Sequence, residues 1–307
     1  MSRQVIAPAA ALLGALLAVP AAALNIEFDY SLDDGFFDDP ERRASLEQAA
    51  AFYEGFADTL TPITVGDGNS WQVAINNPSN LGSFEVLENR EVADDTVVIY
   101  VGASFFGGSG LGFATTGTIV DITGSADFEN AILTRGQENA LGPEATDYGI
   151  WGGAISFNST RDWYFGADAA GLGAGQNDFL TTATHEIAHV LGFGSADSWF
   201  AQIVENMLGE LAFEGPLSSA EFGGPVPLEN SAHWLEGTMS LVDGMLQETL
   251  MDPSTPSGVR QLPTLLDYAG LADIGWEITP VPAPAAILLL GSSLLSLAAR
   301  RGRSGTT

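Results

Sequence analysis

The chain has 307 residues, with 39 acidic against 10 basic side chains and a formal net charge of −29. A surface this anionic repels nucleic acid and acidic membranes, while a hydrophobic content of 46% excludes a disordered chain and allows a full core. There is no cysteine, which excludes disulfides and any latency imposed by a thiolate on a metal.

Composition along the chain divides it into three stretches. Residues 1–23 have the layout of a signal peptide: Arg3 at the start, an apolar run from Val5 to Val19, and the small residues Ala21, Ala22 and Ala23 before Leu24. The body is residues 24–278. Residues 279–307 form a tail, in which Val281-Pro282-Ala283-Pro284-Ala285 precedes an apolar run and the basic cluster Arg300, Arg301 and Arg303. This tail resembles the PEP-CTERM class of sorting signals, with Ala283 where glutamate is usual. The resemblance implies an exosortase-type processing enzyme in a Gram-negative bacterium, export to the surface or medium, and membrane contact through the terminal segments alone. No internal repeat is present.

The body begins with a predicted strand at Asn25–Tyr30 and an acidic loop. Asp33, Asp34, Asp38 and Asp39 lack the spacing of a calcium-binding hand and are expected to be solvated. From Glu41 to Leu60, apolar residues at Leu46, Ala49, Ala50, Phe52, Tyr53, Phe56 and Leu60 recur at helical spacing, predicting one long helix against a sheet. Strands are expected over Ser70–Asn76, Thr96–Phe106, Thr115–Ile122 and Gly152–Asn158. The glycine-rich run from Gly107 to Gly112 lacks the lysine and following helix of a phosphate loop and is expected to be a turn. Trp163 and Tyr164 are expected to cover the core. A second helix is predicted over Asp197–Leu211, a surface loop over 214–230, and a short helix over Leu265–Ala272.

The chemistry is concentrated in Thr184-His185-Glu186-Ile187-Ala188-His189-Val190-Leu191-Gly192-Phe193-Gly194-Ser195. Asn177 or Asp178 suits an N-cap, so the preceding apolar residues start a helix there. Residues four apart share a helical face, so His185 and His189 can hold one zinc ion, with Glu186 beside them as a general base. A bland pair of packing histidines is disfavoured, because two imidazoles and a carboxylate on an apolar helix are costly to bury without a partner. A third ligand is required. Ser195 stands where the extended motif would place it, and serine is a poor zinc ligand. His233 is the only histidine left, and Glu205 is the alternative.

His-Glu-x-x-His-x-x-Gly-Phe, a long insertion, His233-Trp234 and then Leu250-Met251-Asp252-Pro253 together resemble the leishmanolysin-type metzincin metallopeptidases. The resemblance spans about residues 150–277, and the absence of cysteine departs from that disulfide-rich family. It implies His185, His189 and His233 as zinc ligands, Glu186 as base and Met251 as the methionine turn. It implies an α+β, metzincin-like fold with a mixed twisted sheet, a long backing helix, an active-site helix and a mainly irregular or helical lower subdomain. It also implies that the strand before the active-site helix, Gly152–Asn158, is an edge that pairs with a protein or peptide substrate. The expected function is an exported zinc endopeptidase. The rivals are a zinc-binding surface or matrix protein without activity, and a zinc hydrolase acting on something other than a peptide.

Overall fold

The computed structural model describes residues 23–66 and 68–278. The predicted tail, and the predicted signal peptide apart from residue 23, lie outside the described residues. The upper half contains β1 (Asn25–Asp29), α1 (Pro40–Ala50), β2 (Ser70–Asn77), β3 (Asn80–Glu88), β4 (Thr96–Ser104), β5 (Gly112–Thr116), β6 (Thr118–Thr123), α2 (Ala126–Thr134) and β7 (Gly152–Asn158). The two-residue strands β8 (Trp163–Tyr164) and β9 (Asn177–Asp178) then lead into α3 (Phe179–Val190). The fold is α+β.

A four-stranded sheet runs in the order β1-β4-β7-β5, parallel except for β5. β4 is buried at every position from Thr96 to Gly102, because both of its faces are covered. Val97, Ile99 and Val101 enter the core shared with α1 and α3. Val98 and Tyr100 meet Trp71, Val73 and Ile75 of a second sheet, ordered β3-β2-β6. Arg135, fully buried at the end of α2, pins the layers together by donating to the carbonyls of Thr61, Ala93, Thr96 and Ile150 at 2.7–3.1 Å. Burial lowers its pKa to about 10, and carbonyl oxygens replace water around the charge.

The predicted helix over Glu41–Leu60 is shorter than expected. α1 ends at Ala50, after which Tyr53 donates to Ala50 and Phe56 to Tyr53 in tighter turns. Beyond that point tertiary bonds take over the backbone, from Leu24 N–H to Phe56 O at 2.9 Å and from Ala57 N–H to Glu277 O at 2.8 Å. The apolar periodicity persists because such turns also return a side chain to one face about every third residue, and Tyr53, Phe56 and Leu60 are all buried. The predicted strand over Thr115–Ile122 is two strands in different sheets. They part at Gly117, where a Cβ would lie 2.5 Å from Val73 Cγ2 and 2.6 Å from Trp151 Cζ2. The predicted edge is also displaced: Gly152–Asn158 lies inside the sheet between β4 and β5, and β5 is the edge. An antiparallel strand added after the parallel pair moves the edge outward.

The lower half holds α4 (Asp197–Phe200), β10 (Ile203–Glu205), β11 (Leu211–Phe213), α5 (Pro216–Phe222), β12 (Val226–Asn230), β13 (His233–Trp234), β14 (Met239–Val242), β15 (Met245–Glu248) and α6 (Leu265–Asp273). It is richer in strand than expected. The predicted helix over Asp197–Leu211 stops after one turn, and Asn206 then closes a hairpin by accepting from the amides of Leu208 and Glu210 at 2.8 and 3.1 Å. Residues 214–230 fold into α5 and β12 rather than a loop. One core joins the halves, with Phe213, Trp234, Met251 and Leu271 in the same cluster as α3. No helix among the described residues is long and apolar enough to cross a membrane.

Candidate metal centre

α3 starts at Asp178, whose carboxylate accepts from the Thr181 amide and hydroxyl at 3.1 and 2.7 Å. Arg260 grips the same carboxylate with two nitrogens at 2.7 and 2.9 Å, which fixes the helix in the body of the protein. Thr182 and Thr184 return their hydroxyls to carbonyls one turn back, so their polarity is spent inside the helix. The helix ends before Gly192, at a φ of +102°, which suits a residue without a Cβ. Ser195 donates to the His189 carbonyl at 2.7 Å. Its hydroxyl therefore closes the helix end, at the sequence position where the extended motif would have a ligand.

His233 arrives from the lower half. A bulge between Leu228 and Asn230 shifts the β12–β13 register, and Trp199 holds the following turn by donating to Ser231 O at 2.8 Å. Gly194 lets this turn approach α3: a Cβ there would stand 2.6 Å from Ala232 Cα. The Nε2 atoms of His185, His189 and His233 then form a triangle with sides of 3.1, 3.1 and 3.3 Å. Each Nδ1 faces an oxygen: Leu250 O at 2.8 Å, Phe193 O at 2.8 Å and Asn230 Oδ1 at 3.1 Å. These acceptors place the protons on Nδ1 and leave three Nε2 lone pairs pointing at one another.

That arrangement fits a zinc ion. Nitrogens about 2.0–2.1 Å from a tetrahedral centre stand about 3.3 Å apart, which matches the triangle. Three neutral imidazoles with converging lone pairs repel one another unless a cation lies between them. All three rings favour the neutral form. Burial lowers the pKa of His185, with His189 and His233 adding to the effect; burial alone lowers that of His189; burial and His189 bring that of His233 down to about 4. Glu205, the alternative ligand, lies exposed on β10, and no acidic side chain among the described residues joins the histidine cluster.

Glu186 is 7% exposed. Burial pushes its carboxyl up to about 8, against one backbone N–H from Ala114 of β5. It lies against Gly112, where a Cβ would stand 2.4 Å from Glu186 Oε1. β5, the three histidines, Glu186 and the segment from Asp252 to Thr255 line one cleft of about 660 Å³.

Met251 is fully buried in the main core, and its carbonyl accepts from Trp234 N–H at 3.0 Å. The turn that carries it is organised by Asp267. That carboxylate accepts from the amides of Leu250, Met251 and Thr264, the Thr264 hydroxyl and the Trp234 indole at 2.8–3.2 Å. Leu250 O in turn faces His185 Nδ1, so Asp267 positions that ring through the backbone. Sequence reasoning missed Asp267, Asn230 and Gly112. The Thr264-x-x-Asp267 capping box was a visible signal for the first, whereas the other two depend on tertiary placement.

A family model described as SPBPB7E8-like matches residues 130–218. The matched stretch carries His185, Glu186 and His189 and ends before His233 and Met251. No curated protein matches the chain.

Proposed function

We propose that the chain is an exported zinc-dependent endopeptidase of metzincin type. The observation that carries this reading is the convergence of three Nε2 lone pairs, each fixed by a bond at Nδ1, beside a buried carboxylate in an open cleft. His185, His189 and His233 would hold the ion. What zinc supplies there when bound is Lewis acidity, which makes a water acidic near neutrality and polarises a carbonyl oxygen.

The remaining steps belong to the protein's own residues. β5 pairs only with β7 among the described residues, so its outer edge can hydrogen-bond an extended peptide along the cleft. Glu186, carried by the helix beside that strand, is the base in its ionised form, which a cation held by the three histidines would favour over the protonated form that burial alone favours. It accepts a proton from the attacking water and delivers it to the leaving amine. The Nδ1 bonds keep the rings in one tautomer and one orientation throughout. The antiparallel edge strand, the glycine turn after α3 and the buried methionine after the third histidine support the metzincin reading. Export rests on the terminal sequences.

The test is Glu186→Gln. Purified wild-type chain is expected to hydrolyse a denatured protein or peptide library, and the variant to lose at least 10²-fold in rate, the scale of general acid–base catalysis, while keeping one zinc per chain by elemental analysis. A wild-type chain that binds zinc and cleaves nothing points instead to a zinc-binding surface protein. One that binds no zinc removes the proposal.

A further inference from the structure

A second group of candidate ligands lies outside the histidine centre. Oxygens of Glu236, Glu248 and Asp252 come within 4.8 Å of one another. Glu236 follows β13, Glu248 ends β15, and Asp252 follows Met251. Asp252 is 1% exposed, and neither of its carboxylate oxygens has a hydrogen bond of full geometry; the nearest polar groups are the Ser254 amide, which favours its charge, and the Glu248 carboxylate, which opposes it. The side-chain donors that reach the group go elsewhere: Ser254 Oγ to Glu236 Oε1 at 2.5 Å, and Gln261 Nε2 to Glu248 Oε2 at 3.2 Å. Arginine is no help, since the salt bridges among the described residues use Glu27, Asp29 and Asp178, and the chain has no lysine.

A buried carboxylate with at most one weakly placed amide to solvate it, facing two further carboxylates, is a costly arrangement for a folded protein. Two species relieve it, a proton or a cation. Burial, then the charges of Glu248 and Glu236, push the Asp252 carboxyl up to about 8, in keeping with that geometry. The available ligands are all oxygen, and one of them, Glu236, opens to solvent. Such a set suits a hard cation that completes its shell with water. Irregular spacing across three segments suits calcium, with six to eight flexible ligands, better than octahedral magnesium.

We propose that Glu236, Glu248 and Asp252 form a calcium site. The ion ties the β14–β15 hairpin and the segment after β13 to the turn that presents Leu250 O to His185. It thereby braces the histidine centre without sharing a ligand with it.

The experiment is calorimetric titration of the full chain with CaCl2 in calcium-free buffer, with melting followed in parallel. The expected result is saturable binding of one ion per chain with a Kd of about 10⁻⁵–10⁻³ M, and weaker binding of magnesium. Asp252→Asn, Glu248→Gln and the exposed Glu236→Gln each weaken binding at least tenfold, and calcium no longer raises Tm. His233→Ala leaves the isotherm unchanged, so failure of this site is distinguishable from failure of the zinc reading. The proposal is overturned if no saturable binding occurs up to about 10 mM. It is equally overturned if Asp252→Asn raises Tm without calcium and leaves calcium affinity unaltered, which identifies a shared proton instead.

Discussion

In the cleft, a side chain at Gly112 would press directly on Glu186. The atoms a Cβ would meet are Oε1, Cγ and Cδ of Glu186, at 2.4–2.7 Å, so the whole carboxylate arm must shift. Gly112→Ala is therefore expected to lower peptide turnover at least tenfold while leaving zinc content unchanged, as checked by steady-state kinetics with elemental analysis. Loss of zinc together with activity would show that the arm is not the element displaced. The positions of His185, Glu186 and His189 on one helical turn were legible in the sequence, because four-residue spacing on a helix is local geometry. His233 was legible only as the remaining histidine. What brings it home is a bulge before Asn230, which apolar spacing does not register, and the contact of Gly194 with Ala232, which joins segments more than thirty residues apart.

At the scale of elements, α3 is held at its first turn by the buried pair of Asp178 and Arg260, with side chains 0% and 9% exposed. Removing the acid leaves a guanidinium in the interior and uncaps the helix. Asp178→Ala is expected to cost about 3–5 kcal/mol in urea unfolding, with about 1 kcal/mol of that assignable to the cap. Asp178→Asn keeps an acceptor for the Thr181 amide and should recover the smaller share. Equal losses in the two variants would mean that the charge contributes nothing. The helices at α3 and α6 were predicted close to their bounds, since each has a capping side chain and an apolar stripe. The errors over Glu41–Leu60 and Asp197–Leu211 share one cause. A tight turn or a short strand can reproduce helical spacing for a few residues, and Phe56 and Asn206 leave the helix for reasons that apolar spacing does not register. The hairpin of β2 and β3 was missed although Asn77 marks its turn, accepting from the amides of Ser79 and Asn80 at 2.9 and 3.1 Å.

Across the whole molecule, the excess of carboxylates makes stability depend on how each one is solvated. Asp58 is 4% exposed and accepts from Glu277 N–H at 2.9 Å; burial pushes its pKa up to about 6 from 3.8. Between those values the folded chain holds a proton that the unfolded chain has released. Its contribution to stability is therefore present below pH 4 and lost as the pH rises through 6. Asp58→Asn stays neutral throughout, so its melting temperature should gain on that of the wild type between pH 4 and pH 7. A constant gap across that range would show that Asp58 titrates normally.

Phe56 sits between the two ends of the described body, bonded to Leu24 on one side and bridged to Ile278 on the other. Two strand spacings put those ends about 10 Å apart, a gap that a few glycines would span. The exposed turn at Asp243-Gly244 is a place where the backbone could be opened instead. A circular permutant joined at the first point and cut at the second would keep every pairing described above.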